Sequence, residues 1–405
     1  MKREKTKNPF IIAGYEGPAY FCDREKETEK IISALNNDRN IALISPRRFG
    51  KTGLIHHVFY HLKSENKDVF CYYFDIFSTQ NLHEFVQLFG KTVLGKLDSY
   101  TQKTMRHIAG FFKSLRPIFT FNSLTGAPEV SFDLKPEESQ TALQEIFNYL
   151  TSGGKRCYIA IDEFQQVTEY PEKGVEALLR SYVQFALNVK FIFSGSKKHL
   201  MDAIFSAVNR PFYQSVQKMN LHEIPMEIYG AFAQNHFAKN GKTFPLPLFE
   251  TIYSLLMGHT WYIQLILNQL FAEPLKQYTE TDLNRIISEV LEEENATYKT
   301  YCELLTKGQL GVLTAIAKER RIKAVTQSDF LKKHNLTAPS SVKVSIRSLI
   351  EKSLILKDEQ GYYSVYDRFF ALWLAQITPK FGSLKGKIHL SDDFDSPLSD
   401  FKEYM

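Results

Sequence analysis

The sequence predicts an α/β protein with a parallel sheet, followed by a helical region and a C-terminal winged helix. Three observations support this fold class. Short apolar runs alternate with helical patterns through the first half of the chain, as in a parallel sheet covered by helices. Polar residues directly follow several of these runs, at the sheet edge where such proteins bind ligands. After Pro225 the pattern becomes helical, and it ends in two short strand-like segments.

The first unit is predicted to be a core domain over residues 1–225. Helices are expected at residues 23–36, 52–62 and 82–97, and strands at residues 40–44, 69–74, 158–161, 190–193 and 221–224. Residues 117–134 alternate apolar and polar side chains around Leu124-Thr-Gly126, which indicates an inserted β-hairpin.

The rest of the chain is predicted to form a helical lid at 226–299, a winged helix at 300–378 and a loosely ordered tail at 379–405. The lid helices are expected at 228–239, 247–257, 261–271 and 280–298. The winged helix opens near Thr306 and contains helices at 309–318, 326–333 and 340–351, then strands at 354–356 and 362–365. Ser340 is interpreted as a helix cap and Gln360-Gly361 as a hairpin turn.

The bulk properties indicate an ordinary globular protein. The chain has 405 residues, 44% of them hydrophobic and 23% charged. Its net charge of +5 permits contact with nucleic acid without arguing for it, because such binders concentrate more positive charge on one face. The four scattered cysteines speak against a zinc site or a disulfide framework. Without a long apolar run or a signal core, we expect a cytoplasmic protein with no membrane partner.

The strongest motif is Ser45-Pro-Arg-Arg-Phe-Gly-Lys-Thr52, which matches the phosphate-loop pattern G-x-x-x-x-G-K-[ST] except at Ser45. Gly50 lets backbone N–H groups turn toward phosphate oxygens, and the following helix adds its positive end. Lys51 would reach the β- and γ-phosphates, and the Thr52 hydroxyl would bind Mg²⁺. The alternative is a chance match in an ordinary strand–turn–helix. The predicted ATP-binding residues of the loop are Ser45, Pro46, Arg47, Arg48, Phe49, Gly50, Lys51, Thr52 and Gly53.

A second signal is the apolar strand that ends in Asp162 and Glu163. Asp162 would bind Mg²⁺ together with Thr52, and Glu163 would polarise the attacking water. Two solvated acids at a strand end are the alternative. Ser196, after the fourth strand, could sense the γ-phosphate, although a turn rich in small residues is nearly as good an interpretation.

Several arginines are candidates for stabilising charge on the transferred phosphoryl group. Arg210 is the first candidate, supplied within the chain or by a neighbouring copy. Arg47 and Arg48 lie in the loop itself, where one could contact phosphate and the other an acid. For any single arginine, a structural or surface ion pair is the alternative.

These motifs together resemble the AAA+-like ATPases of the STAND class, and among them the "archaeal-type ATPase" group, over roughly residues 8–375. The segments that carry the resemblance are Tyr20-Phe-Cys-Asp-Arg-Glu25, Ser45-Pro-Arg-Arg-Phe-Gly-Lys-Thr52, Ile161-Asp-Glu-Phe164, Ser194-Gly-Ser196 and Arg210-Pro-Phe-Tyr-Gln214. The resemblance implies the sheet order 5-1-4-3-2. It also places the segment Phe21–Glu25 beside the adenine, with Phe21 and Arg24 as the residues predicted to bind the nucleotide. It also implies that residues 258–264 lie in the lid, and that residues 366–370 and Trp373 close the winged helix. The group often has Gly-Arg where this chain has Gln214-Ser215, which leaves the arginine finger open.

The first functional hypothesis is a slow, Mg²⁺-dependent ATPase that acts as a switch, in which bound ATP holds the lid and winged helix against the core. The alternative is a DNA-binding regulator with a structural or barely hydrolysed nucleotide. Its DNA contacts would come from Lys343, Arg347 and Lys352, with Lys332 and Lys333 nearby, although Glu351, Asp358 and Glu359 flank that surface. A protein partner of the winged helix and self-association also stay open.

Overall fold

The computed structural model describes residues 7–95, 108, 110–121 and 128–376. The chain divides into two compact units, Met1–Leu283 and Asn284–Met405. The turn expected around Leu124, the end of the helix expected at 82–97 and the tail expected after Pro379 lie outside the described residues.

The first unit contains seven strands among the described residues: β1 (Ile41–Ile44), β2 (Phe70–Asp75), β3 (Pro117–Phe121), β4 (Pro128–Phe132), β5 (Cys157–Asp162), β6 (Val189–Gly195) and β7 (Gln217–Asn220). Five of them form a parallel sheet in the order β2-β5-β6-β1-β7. Numbered along the chain without the hairpin strands β3 and β4, this is the expected order 5-1-4-3-2. All carboxyl ends of the parallel strands therefore meet at one edge.

The expected position of the fifth strand was wrong. It was predicted at residues 221–224, but β7 ends at Asn220. β7 pairs with β1 only and therefore lies at the edge of the sheet, and Met219 is its one buried side chain. Hydrogen bonds to β1 define this strand, whereas the prediction relied on apolar side chains.

Helices cover both faces of the sheet, which explains why β1, β5 and β6 are buried along their whole length. The helices of this part are α1 (Glu25–Asn36), α2 (Lys51–Glu65), α3 (Leu82–Leu94), α4 (Ser139–Ser152), α5 (Val175–Phe185) and α6 (Lys198–Ser206). On one face Ile31 and Ile55 pack against Leu43. On the other, Phe74 and Phe89 belong to a larger core.

The inserted hairpin is confirmed, with β3 and β4 pairing antiparallel so that Phe119 lies opposite Val130. It packs close to α3 at Gly90. A Cβ at this glycine would lie 2.9 Å from Leu115 and 3.2 Å from Phe132. The close packing therefore requires a residue without a side chain.

Helices α7 (Met226–Lys239), α8 (Leu246–Leu256), α9 (Thr260–Ala272) and α10 (Glu280–Glu293) follow the sheet. The amino-terminal segment is attached to this helical region. Phe10 is fully buried, with ring centroids 5.2 Å from Phe237 and 5.8 Å from Phe271. The Asn8 amide donates to the Asn268 carbonyl at 2.8 Å, and the Asn268 amide donates to the Phe10 carbonyl at 2.6 Å. Residues 11–17 continue from this attachment toward the core.

The second unit has the predicted winged-helix order. Its elements are α11 (Asn295–Glu303), α12 (Lys307–Glu319), α13 (Ser328–Lys333), α14 (Pro339–Glu351), β8 (Ile355–Lys357), β9 (Tyr363–Val365) and α15 (Arg368–Gln376). The helix expected over 280–298 is two helices, α10 and α11. Ser340 is not a cap, because α14 begins at Pro339 with Ala338 at the N-cap position. Gly361 has a φ of +88° and lies in the predicted turn between β8 and β9.

Candidate functional site

A cavity of about 440 Å³ lies in the first unit, at the carboxyl edge of the sheet. Five parts of the chain line it: the amino-terminal segment 11–24, the loop 47–53, the acids at the ends of β2 and β5, Ile224, and the start of α9. Sequence-distant residues thus meet where a parallel sheet binds its ligands.

The predicted phosphate loop joins β1 to α2. Arg48 and Gly50 have φ values of +70° and +90°, and α2 begins at Lys51. The first N–H groups of this helix have no intrahelical partner, so they form an anion-binding end. Lys51 is only 6% exposed, and its ammonium donates to the carbonyl oxygens of Ser45 at 2.9 Å and Pro46 at 3.2 Å. Burial lowers the pKa of Lys51, and the nearby acids Asp162 and Glu163 oppose this shift.

Thr52 and Asp162, the two residues predicted to bind Mg²⁺, meet in the cavity. The Thr52 hydroxyl donates to Asp162 Oδ2 at 3.0 Å, and the Tyr73 hydroxyl donates to the same oxygen at 2.8 Å. The backbone N–H of Glu163 donates to Asp162 Oδ1 at 3.0 Å. Three donors therefore fix the orientation of the Asp162 carboxylate.

Glu163 lies beside Ser196, a contact that the sequence did not predict. Glu163 Oε2 accepts from the Ser196 hydroxyl at 2.6 Å and from the Gln165 amide at 2.5 Å. Its other oxygen, Oε1, is 3.8 Å from Nε of Arg47. The backbone of Glu163 has a φ of +54°, an uncommon conformation for a residue with a side chain.

Asp75 adds a third acid to the cavity. Its register partner in the β2–β5 pair is Asp162, and its Oδ1 accepts from the Phe77 N–H at 2.8 Å. Burial raises the pKa of Asp75, and the negative charges of Asp162 and Glu163 raise it further.

An aromatic wall faces the loop from the amino-terminal side. The Phe21 ring stacks on His57 with centroids 4.3 Å apart, and Gly53 leaves room for it, since a Cβ there would lie 3.2 Å from Phe21. The Tyr15 hydroxyl is 2.7 Å from His57 Nδ1. Burial, and second the neighbouring His61, lower the pKa of His57 to about 4. Phe21 thus lines the cavity, and its contact with an adenine ring stays a prediction.

The arginines of the loop contact aromatic rings at the cavity edge. The Arg47 guanidinium lies 4.7 Å from the Phe77 ring, and that of Arg48 lies 4.2 Å from the Trp261 ring. The backbone N–H of Trp261 donates to the Arg48 carbonyl at 3.0 Å. The loop is therefore joined to the first turn of α9.

Two other predicted arginines have structural partners. Arg24 lines the cavity but is buried, and it donates to Glu27 at 2.8 Å and to the His222 carbonyl at 2.5 Å. Arg210 is not among the cavity-lining residues, and its guanidinium is 2.6 Å from Glu176. The structure does not bring Arg210 to this cavity. Its role at the site of a neighbouring copy stays a prediction.

A family model described as "ATPase domain predominantly from Archaea" matches residues 21–266, which include the whole cavity apart from its first lining residues. The chain belongs to this ATPase family. A second model, described as "Probable winged helix domain", matches residues 296–376.

One relative of this ATPase family member matches part of the chain. An uncharacterised ATP-binding protein of Methanocaldococcus jannaschii is 28% identical over 182 residues, covering 42% of this chain and 46% of that protein. The match therefore spans about half the length of that relative. Family membership and this relative support nucleotide binding.

Solved structures extend the likeness over most of the chain. A Walker-type ATPase of Pyrococcus abyssi has a TM-score of 0.62 and 17% identity, covering 90% of this chain and 99% of that one. The ORC2 protein of Aeropyrum pernix, solved as ADPNP and ADP complexes, has a TM-score of 0.55 and 15% identity, covering 91% and 97%. Its ORC1 protein, solved in complex with DNA, has a TM-score of 0.50 and 11% identity, covering 89% and 94%. At these identities the likeness shows the fold, a parallel-sheet P-loop ATPase with a helical region and a winged helix.

Sequence reasoning about this ATPase missed Tyr73, Asp75 and Gln165. Asp75 could have been found, because it ends an apolar strand in the same way as Asp162. Tyr73 and Gln165 carry no comparable signal. Tyr73 meets Asp162 because β2 and β5 are neighbouring strands, and Gln165 meets Glu163 through the short segment after β5.

Among the described residues, no helix has the length and apolar composition to cross a membrane.

Proposed function

We propose that this chain binds ATP with Mg²⁺ in the cavity and hydrolyses it slowly to ADP and phosphate. The observation that carries the proposal is the contact between Thr52 and Asp162, with Glu163 directly beside it. Transfer of a phosphoryl group to water requires a loop that binds the phosphates and acids that bind the metal and orient the water. Asp162 and Glu163, two consecutive acids, lie beside such a loop.

The oxygen donors at this contact suit Mg²⁺. A threonine hydroxyl and one carboxylate are hard ligands, and magnesium sites in nucleotide enzymes use one or two carboxylates with substrate phosphates. Thr52 and Asp162 would hold the ion. When bound, it would neutralise negative charge on the phosphate oxygens.

The remaining residues would bind the phosphates, accept a proton from water or hold the proton acceptor in place. Lys51 and the N–H groups that begin α2 would bind the phosphates. Glu163 would take a proton from water as the water oxygen bonds to the γ-phosphorus. The bond from the γ-phosphorus to the bridging oxygen breaks at the same time, and ADP leaves with that oxygen. Ser196 would hold Glu163 through the hydrogen bond of 2.6 Å.

The switch part of the proposal rests on the loop's attachment to α9. Arg48 contacts Trp261, and the Phe49 ring lies 4.4 Å from His259. A change in the loop on ATP binding would therefore act on the start of this helix. We also propose the AAA+-like STAND class, with a core at 1–225, a lid at 226–299 and a winged helix at 300–378.

The test compares wild type with Lys51→Ala and Glu163→Gln. We expect Lys51→Ala to weaken ATP binding at least about tenfold, because it loses the ammonium that faces the phosphates. We expect Glu163→Gln to bind ATP normally and to lose about 100-fold in turnover, since an amide cannot accept the proton. Calorimetry measures binding and phosphate release measures turnover. Normal binding and turnover by Lys51→Ala would contradict the site assignment.

A second candidate function is DNA binding by the second unit, which a basic groove favours. The groove has a volume of about 400 Å³, and its lining includes Lys323, Lys343 and Arg347. Lys343 has no carboxylate partner among the described residues, whereas Arg347 lies 3.7 Å from Glu351. Two of these cations are on α14, the helix that the sequence suggested for DNA contact.

Anisotropy with duplex DNA over a salt series tests this candidate. The double variant Lys343→Ala with Arg347→Ala should weaken DNA binding. It should also reduce the slope of log K against log salt concentration by about 2, because each lost phosphate contact lowers that slope by about 1. The matched control is Lys307→Ala with Lys318→Ala, at two exposed lysines of the same unit, which removes the same charge outside the groove. Equal effects of the two pairs, or no binding by wild type, would exclude the groove as a DNA site.

A further inference from the structure

One oxygen of Glu163 is held by two side chains, and the other oxygen is not held in this way. Oε2 accepts from Gln165 at 2.5 Å and from Ser196 at 2.6 Å, while Oε1 has Arg47 at 3.8 Å, beyond hydrogen-bond reach. Gln165 is 2% exposed and comes two residues after Glu163, in the turn that follows β5. Gln165 belongs to none of the motifs found in the sequence.

The orientation of the Gln165 amide follows from the charge of its partner. A carboxylate only accepts hydrogen bonds, so the amide nitrogen must face Glu163 and the amide oxygen must point away. That oxygen, Oε1 of Gln165, is buried without a hydrogen-bond partner among the described atoms. An unsatisfied buried acceptor is costly, and an apolar side chain of similar length would avoid the loss. Packing alone therefore does not explain a glutamine here.

The end of β6 is shaped to admit this amide. A Cβ at Gly195 would lie 2.5 Å from Oε1 of Gln165, and it would also collide with Sδ of Met201. The next residue, Ser196, supplies the second donor to Glu163. Gly195 and Ser196 thus make room for one donor and provide the other.

We propose that Gln165 is a positioning residue for the ATP hydrolysis proposed above, on which this inference rests. Together with Ser196, it occupies both lone-pair directions of Oε2 on Glu163. Oε1 is then the oxygen that accepts the proton of the attacking water. Gln165 does not touch the reacting atoms; it fixes which carboxylate oxygen faces them.

The experiment compares Gln165→Met with Gln166→Met, a matched control one residue away. Gln166 donates to the Thr79 carbonyl at 3.1 Å and does not contact Glu163. Gln165→Met should lower kcat between about 10-fold and 100-fold, since small misplacements of a reacting group have effects of this size. The KM for ATP and the Tm should stay close to those of Gln166→Met. Adding Ser196→Ala should lower kcat by less than the product of the two single effects, because both donors hold one oxygen.

A second variant separates positioning from packing. Gln165→Glu keeps the volume but donates only when its carboxyl group is protonated. The negative charge of Glu163 would favour protonation of the introduced carboxyl group. The protonated fraction of that group rises as the pH falls from about 8 to about 6, so the kcat of this variant relative to wild type should recover over this range. Gln165→Met should show no such recovery.

The outcomes distinguish the two proposals. Wild-type turnover no greater than that of Glu163→Gln overturns the proposed function, and the role of Gln165 with it. Clear wild-type turnover that is retained in Gln165→Met overturns the positioning role alone. A parallel loss of Tm, ATP affinity and kcat in Gln165→Met, without pH recovery in Gln165→Glu, also overturns it, since the residue would then be structural.

Discussion

His57 shows how one buried side chain connects the site to the stability of the fold. It stacks on Phe21, is 2.7 Å from the Tyr15 hydroxyl and has its Nε2 3.2 Å from that of His61. Burial lowers its pKa from 6.5 to about 4, so the folded protein keeps this imidazole neutral at neutral pH.

We expect this residue to make folding sensitive to mild acid. Between pH 6.5 and about 4 the unfolded chain binds a proton at His57 that the folded protein does not. The unfolded state then binds more protons, so this contribution to stability is complete above pH 6.5 and is lost as the pH falls toward about 4. Urea unfolding of His57→Gln should show a weaker pH dependence over this range than wild type.

The matched control for this measurement is His199→Gln, at an exposed histidine of the same unit. Its pH dependence should equal that of wild type. If His57→Gln behaves like the control, the buried neutral imidazole does not cause the pH dependence of the unfolding free energy.

At the scale of elements, α12 begins with a capping box. The Thr306 hydroxyl accepts from the Gln309 N–H at 3.3 Å, and the Gln309 side chain accepts from the Thr306 N–H at 3.0 Å. The Gln309 amide also donates to the Ser348 hydroxyl at 2.9 Å, which joins the start of α12 to α14. The cap thus supports both a helix and its packing.

Thr306→Ala should therefore destabilise the second unit by about 1 kcal/mol, the typical effect of losing a cap. The measurement is the urea midpoint of the unit's unfolding transition. Thr300→Ala is the control, because Thr300 is exposed within α11 and its hydroxyl donates to the Ala296 carbonyl of its own helix. We expect no loss of stability there, and equal losses in the two variants would argue against the cap.

Local patterns predicted the elements whose signals are local. The phosphate loop, the hairpin and the order of the winged helix all follow from short runs of residue types. β7 was misplaced because an edge strand needs no apolar pattern, and the cap of α14 was misplaced because Pro339 starts the helix one residue before Ser340. The break at Glu294 between α10 and α11 also has no glycine or proline to mark it.

The molecule as a whole consists of two units, and the boundary of the second has a testable position. Tyr298 stacks on Phe370 at 4.9 Å and lies 5.6 Å from Trp373. The Trp373 indole N–H donates to the Asn295 side chain at 3.2 Å. These contacts attach residues 295–298, which belong to the proposed lid, to the last helix of the second unit.

A fragment of residues 294–376 should be more stable than one of residues 300–376. The shorter fragment loses Asn295 and the buried Tyr298, and removal of a buried aromatic side chain typically costs about 3 kcal/mol. Urea unfolding of the two purified fragments measures the difference. Equal unfolding free energies would place the domain boundary at 300, as the sequence suggested.

At this scale the sequence predicted which segments meet, but not the contacts that fix the side chains of the cavity. Lys51, Thr52, Asp162 and Glu163 could be found because each belongs to a pattern with a chemical meaning. The residues that hold them, Tyr73 and Gln165, depend on which strands are neighbours and on side-chain direction. Those are properties of the folded chain and leave no periodic trace in the sequence.

The burial of Phe10 has a consequence for experiments on shortened chains. Its ring fills the interior of the helical region, while Ile11, Ile12 and Tyr15, just after it, face the cavity. Deleting residues 7–17 would open a hole between α7 and α9 and remove one side of the nucleotide chamber in a single step. A loss of ATP affinity after such a deletion would combine the damage to the helical region with the loss of the cavity wall. Point substitutions at Tyr15 or Phe21 would instead measure the contribution of the cavity wall to ATP affinity.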